Sequence, residues 1–174
     1  HRGVVLIHAM AKWYQQGLMA LVRRVFKAPE SSQLWRSLYF FGFEPGHDTS
    51  MLVASLQILL KKRVEWRGMG DVIIISADVG HAFDHLLPKW VRVAMEYWGL
   101  PGKLAGAVLG ELDSLEAEGE LQDVATSSPF GFDKVRQGGV ESAWVWNLVL
   151  RWVLARLVGK WRWSNWGIRI PGLG

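Results

Sequence analysis

Leu18, Leu21, Val22 and Val25 recur at spacings of three and four, which predicts a helix from Ala9 to Phe26 with one apolar face. Ahead of it, Val4-Val5-Leu6-Ile7 reads as a short buried strand. Residues 27–45 hold Pro29, Ser31, Ser32, Gly42 and Pro45 and read mostly as connection. Asp48 or Thr49 then caps a second helix, predicted to run to Trp66. Lys61, Lys62, Arg63 and Arg67 gather at its end, so acid precedes it and base closes it, as the helix dipole prefers. Gly68-Met69-Gly70 breaks the chain.

The next pattern is different. Val72-Ile73-Ile74-Ile75, four β-branched residues in a row, predicts a strand over 71–78 that is apolar on both faces and central in a covered sheet. Pro88 opens a helix to Trp98, and Gly99-Leu100-Pro101-Gly102 closes it before another begins. The acidic stretch 111–123 reads either as the end of that helix or as an exposed hairpin. From Ser142 to Trp161 apolar residues lie on nearly every side, which predicts a buried helix, and Gly167-Ile168-Arg169-Ile170 alternates as the start of a hairpin strand. Helices with few, partly separated strands make the expected class α+β.

Composition narrows the function classes. The 174 residues, 50% hydrophobic and 21% charged, suit a globular domain with its own core. With no cysteine, the chain cannot carry a disulfide framework, a thiolate zinc site or a cysteine nucleophile, and an intracellular location, nuclear or cytoplasmic, is the expectation. No apolar run reaches membrane-spanning length and no signal-peptide pattern opens the chain. It begins on His1 and stops at Pro171-Gly172-Leu173-Gly174, which reads as a cut from something longer. Charge is uneven: residues 1–110 carry 13 Lys/Arg against 8 Asp/Glu, residues 111–133 none against 7, and residues 134–174 carry 7 against 1. Two basic blocks around an acidic one fit a polyanionic partner, nucleic acid or an anionic membrane surface, with a solvated surface of mixed charge as the plainer reading. There are eleven tryptophans. Several of them, with Arg and Lys between, make residues 144–166 an alternative interfacial membrane helix, although apolar residues all round favour burial.

Candidate chemistry sits at the end of the β-branched run. Asp78 leaves a strand, where a carboxylate is held rigidly and can ligate a hard divalent cation, and Asp84 follows six residues later. Each also has a plainer role, Asp78 in capping the turn and Asp84 in capping a helix near Leu86.

Taken in order, four segments resemble the finger and palm motifs of reverse transcriptases of the non-LTR retrotransposon and group II intron type. Gly42-Phe43-Glu44-Pro45-Gly46-His47-Asp48-Thr49 is similar to G-F-R-P-G-R-S/T, and Asp78 to Asp84, with Ala82-Phe83-Asp84 intact, to D-x-x-K-A-F-D. Arg136-Gln137-Gly138 with Ser142 resembles R-Q-G-C-P-L-S-P, and Asn147-Leu148 the F-N-L helix. Upstream, Arg2-Gly3-Val4-Val5-Leu6 and Lys12 look like R-P-I-x-L with its downstream lysine. The set is collinear and spans nearly the whole chain.

The resemblance implies a right-hand polymerase fragment. Residues 1–70 would be a fingers-like segment. Residues 71–174 would be a palm-like segment, ferredoxin-like with helices on a small antiparallel sheet, incomplete at the C-terminus. It implies RNA-directed DNA synthesis with Mg²⁺, or Mn²⁺ in its place, on an RNA or DNA template with primer and deoxynucleoside triphosphates. Asp78 would be the first catalytic aspartate and a metal ligand, beside the backbone carbonyl of Val79. Phe83 would pack where a 2′-hydroxyl would sit, Arg136, Gln137 and Gly138 would line the nucleotide and template, and Arg2 and Lys12 would meet the triphosphate. Departures are Glu44 and His47 for arginines, His81 for the lysine, Gly139 for the cysteine, and Val140-Glu141 with no proline nearby. The x-x-D-D motif is absent, so the chain alone is expected to be inactive. A non-catalytic nucleic-acid-binding remnant of a polymerase is the alternative.

Overall fold

Five helices account for most of the ordered backbone among the described residues, which in this computed structural model are 7–27, 42–43, 46–65, 72–113, 116–117, 120–121, 124–125, 130–131, 135 and 138–164. Helix α1 (Ala9–Lys27) turns Leu18, Met19, Val22 and Phe26 inward, the three-and-four spacing of its sequence. Helix α2 (Thr49–Glu65) begins where Asp48 caps it: the Met51 amide donates to Asp48 Oδ1 at 3.0 Å and the Ser50 hydroxyl at 2.6 Å. An ion pair between Lys62 and Glu65 closes its last turn.

Helix α3 (Pro88–Tyr97) starts on proline, whose missing N–H costs nothing at the first helical position. It ends in a Schellman turn: Gly99, at φ +71°, donates to the Glu96 carbonyl at 3.1 Å, and Leu100 to the Met95 carbonyl at 3.0 Å. The left-handed backbone at Gly99 is what lets Leu100 fold back into the core. Helix α4 (Gly102–Asp113) follows at once, and helix α5 (Ser142–Trp163) is the longest.

The core lies where α3 packs on α4 and α5, with α1 closing against α4. Val91, Ala94 and Met95 of α3, Val108 and Leu112 of α4, and Val145 and Leu148 of α5 are sealed from solvent. The Trp98 indole N–H donates to the Leu148 carbonyl at 3.2 Å, so the end of α3 is pinned to the middle of α5 by a bond as well as by packing. Aromatic rings fill the seams: Phe26 lies 5.6 Å from Trp144, and Trp90 stacks on Trp152 at 6.2 Å with Arg156 over the latter. Much of the tryptophan content therefore serves helix packing.

The α+β expectation, a ferredoxin-like palm with helices on a small antiparallel sheet, is corrected: the described chain is helical. Extended pairing is confined to four strands of two residues each. β1 (Glu116–Ala117) pairs antiparallel with β4 (Phe130–Gly131), and β2 (Glu120–Leu121) with β3 (Val124–Ala125). Such ladders give helices no sheet face to cover. The acidic stretch is thus both things the sequence left open, the end of α4 and short antiparallel pairs beyond it.

Residues 72–79 form no regular element and join no ladder among the described residues, and Ile73 and Ile75 are 84% and 86% exposed where a central strand would bury them. The physical reason is that β-propensity records how well a residue fits a pleated, half-buried surface, and among the described residues no neighbouring strand supplies one. The predicted strands over 4–7 and 167–170 fall outside the described residues, apart from Ile7.

Two expected outcomes follow from these elements. An exposed run of β-branched residues is prone to strand pairing between chains, so the Ile73→Lys/Ile75→Lys double variant should stay monomeric at concentrations where the parent self-associates. Sedimentation velocity checks this; equal association of both proteins contradicts it. The second concerns Asp48. Its hydrogen bonds from Ser50 and then Met51 lower its pKa below the ordinary 3.8. A lowered folded pKa means the carboxylate's contribution is complete above the ordinary value and fades as pH falls through the folded one. Helix content should therefore drop on acidification below about pH 4. Asp48→Asn, which keeps an acceptor but no charge, should flatten that part of the circular-dichroism titration, whereas Asp48→Ala should lower helicity at neutral pH as well.

Candidate functional site

The turn into α5 is built by two glycines and two buried polar residues. Gly138 stands at φ +104°, a backbone conformation that a side chain rarely adopts. A Cβ on Gly139 would come within 2.5 Å of Glu141 Oε1 and 2.6 Å of Ser142 Oγ, so a side chain here would force these buried neighbours to shift. Glu141 and Ser142 are buried at 1% and 2% exposure. The Ser142 amide then donates to the Gly139 carbonyl at 3.3 Å and the Val145 amide to the Glu141 carbonyl at 2.8 Å, which starts the helix.

In the second turn of α5, Asn147 is buried and its Nδ2 donates to the Gly42 carbonyl at 2.9 Å, across 105 positions of sequence. One residue earlier, the Trp146 ring lies 6.4 Å from that of Phe83, which is half-buried against the core. Three separate segments thus meet along the first turns of α5: the glycine of Gly42-Phe43, the Phe83 turn, and the Gly138-Gly139 entry. These are the segments whose sequence carried the polymerase resemblance.

The Phe83 turn is tight. His81 adopts φ +51°, the His85 amide donates to the His81 carbonyl at 3.1 Å, and the Leu86 amide to the Phe83 carbonyl at 3.2 Å. Histidine is among the residues that tolerate this left-handed region, a local reason for His81 at this position. His81 Nδ1 lies 3.4 Å from Asp84 Oδ2, and both side chains are exposed.

Asp78 and Val79 lie exposed at the end of the irregular segment 72–79, not at the end of a buried strand. Asp84 faces His81 and precedes α3 by four residues, so it does not cap that helix; Leu87 occupies the cap position without a side-chain bond. Lys12 is exposed on α1, and Gly138 is exposed at the entry to α5. Arg2, Arg136 and Gln137 lie outside the described residues. Phe83 is the one predicted site residue seated against a second motif segment.

A two-ion Mg²⁺ site needs several carboxylate oxygens converging within a few ångströms. Among the described residues no group of three or more His, Cys, Asp or Glu side chains could hold a metal ion. Asp78 with the Val79 carbonyl is one carboxylate and one backbone oxygen, and these residues do not fit a two-ion centre.

Several polar residues at the core escaped the sequence reading. Gln15 is sealed on α1 and its Nε2 donates to Glu111 Oε2 of α4 at 3.2 Å, a tie between the two helices. Arg151, buried at 4%, follows Asn147 by one helical turn on the same face. The signal for both was a polar residue at an apolar position of the helical period: Gln15 three before Leu18, Arg151 four after Asn147.

No family profile, curated protein or solved structure matches the chain. Among the described residues no helix is long and apolar enough to cross a membrane.

Proposed function

We propose that this chain is a segment of reverse-transcriptase type that binds a nucleic-acid primer–template and does not by itself transfer nucleotides. The observation that carries the reading is the meeting of Gly42, Phe83 and the Gly138–Asn147 stretch at one end of α5, motif segments that lie far apart in sequence. Side chains that serve only their own helix would not be joined this way across 105 positions.

Electrostatics support the binding half. Lys12, Arg23 and Arg24 on α1, Lys61 and Arg63 on α2, Lys89 and Arg92 on α3, and Arg156 and Lys160 on α5 all stand exposed. Such cations take phosphate oxygens by releasing condensed counterions, a binding that carries no sequence preference. The non-catalytic half rests on the donor set: among the described residues no carboxylates gather with Asp78 into a group that could hold a metal ion, and no adjacent Asp-Asp pair occurs in the 174 residues. A divalent ion in a complete site would polarise the reacting phosphate. Phe83, half-buried against the core with Trp146 beside it, serves packing first; a gate role for its ring would require that packing to be the wall of a nucleotide site.

The test is a labelled primer–template offered to the purified chain with deoxynucleoside triphosphates and Mg²⁺ or Mn²⁺. Retardation of the primer–template without extension is expected, and Asp78→Asn should bind equally well. Primer extension that disappears in Asp78→Asn would show the chain to be catalytic and overturn the non-catalytic half.

A further inference from the structure

Between α1 and α4 runs an open groove of about 540 Å³ that the motif segments do not touch. Trp13, Tyr14 and Leu21 of α1 and Lys103 of α4 form its rims, and Leu18 and Leu104 lie deeper. Trp13 and Tyr14 are 69% and 53% exposed, and both rings line the groove. Its α1 wall carries charge of one sign, while α4 brings Lys103 and, one turn beyond Ala107, Glu111, which accepts from Gln15. Helix α1 carries Lys12, Arg23, Arg24 and Lys27 and no acid along its whole length, and Arg24 falls one turn beyond Leu21 on the same stripe.

We infer that this groove is a stacking site for the bases of single-stranded nucleic acid, with Trp13 and Tyr14 as the platform and Lys103 and Arg24 as phosphate contacts. It rests on the nucleic-acid reading above and adds a place and a strand type to it. Every base offers a π face, so exposed aromatic rings flanked by cations bind unpaired strands without regard to sequence. A duplex hides those faces, and its phosphates alone would leave the rings unused. The shape argues the same way: a lipid surface receives a convex apolar ridge, whereas these rings wall a trough whose other side is a second helix bearing a lysine.

The experiment measures fluorescence anisotropy of an end-labelled oligothymidylate about twelve nucleotides long with the whole chain, beside a fully paired duplex and vesicles of phosphatidylserine and phosphatidylcholine. Trp13→Ala and Tyr14→Ala should each weaken the oligothymidylate by roughly 5- to 150-fold while moving duplex binding by less than about twofold. Lys103→Ala should lessen the salt dependence by about one phosphate contact. Both rings are exposed, and unchanged circular dichroism of the variants will separate lost binding from lost folding. If both ring variants bind oligothymidylate as the parent does while the primer–template is still bound, the groove is not the site and the broader reading stands. If neither oligothymidylate nor primer–template binds, both fall. Vesicle binding that needs the two rings, with no oligothymidylate binding, would assign the groove to a membrane surface and overturn the inference.

Discussion

Leu148→Ala is expected to lower the unfolding free energy by about 2–5 kcal/mol, because the site has no room to collapse around the lost atoms. Leu148 is fully sealed at the centre of α5, where α3 packs against it, and its carbonyl accepts the Trp98 indole N–H at 3.2 Å. The cavity would open beside Met95, Val145 and Trp98 in the one cluster that joins four of the five helices. A domain of ordinary size has roughly 5–15 kcal/mol in all, so this one change consumes a large share of it. Urea melts read by circular dichroism should move to a lower midpoint with little change of slope. A loss below about 1 kcal/mol would mean that the α3–α5 seam is not the centre of the fold.

Gly139→Ala is expected to cost about 1–3 kcal/mol, the usual range for forcing atoms into a filled space. The added methyl would meet Glu141 Oε1 at 2.5 Å and Ser142 Oγ at 2.6 Å, inside any real contact. The glutamate is a flexible chain, but it is buried at 1%, and moving it means unseating a carboxylate from its surroundings. The serine oxygen sits one bond from its Cβ at the first position of α5 and has little freedom to retreat. A second consequence distinguishes this cost from general instability: the entry to α5 should loosen first, so amide exchange at Ser142 and Val145 should accelerate more than at Val91 or Val108. Equal acceleration everywhere, or no loss of stability, would contradict the tight-turn account.

The helices were legible in the sequence to within a residue or two. The signals differed: apolar spacing for α1, Asp48 with a basic end for α2, Pro88 and Gly99 around α3, and an unbroken apolar run for α5, whereas the end of α4 was left open. The β-branched run at 72–75 misled because propensity is local whereas a strand needs a partner, and nothing within that octapeptide could say whether one exists. The end of α5 misled more mildly. Its even apolar distribution predicted burial throughout, yet the sealed positions end at Arg151; Trp152, Leu154, Ala155 and Val158 are half-buried against the core, and Val153, Trp161 and Trp163 are exposed.

Of the candidate site, the motif order located the segments that meet at α5 but not the contacts that join them. Asn147 was singled out, while its acceptor, a glycine carbonyl, has no side chain to advertise the role. For Asp78 the expectation of a rigid setting rested on a buried strand, and the structure has Asp78 exposed in a segment with no regular element.

The most direct test of the account is the affinity of the chain for a primer–template as a function of salt, measured without nucleotides so that no chemistry intrudes. With roughly six phosphates engaged, the affinity should fall about a thousandfold between 50 and 200 mM monovalent salt, linearly on logarithmic axes. An absence of binding at the low end, or an affinity indifferent to salt, would contradict it.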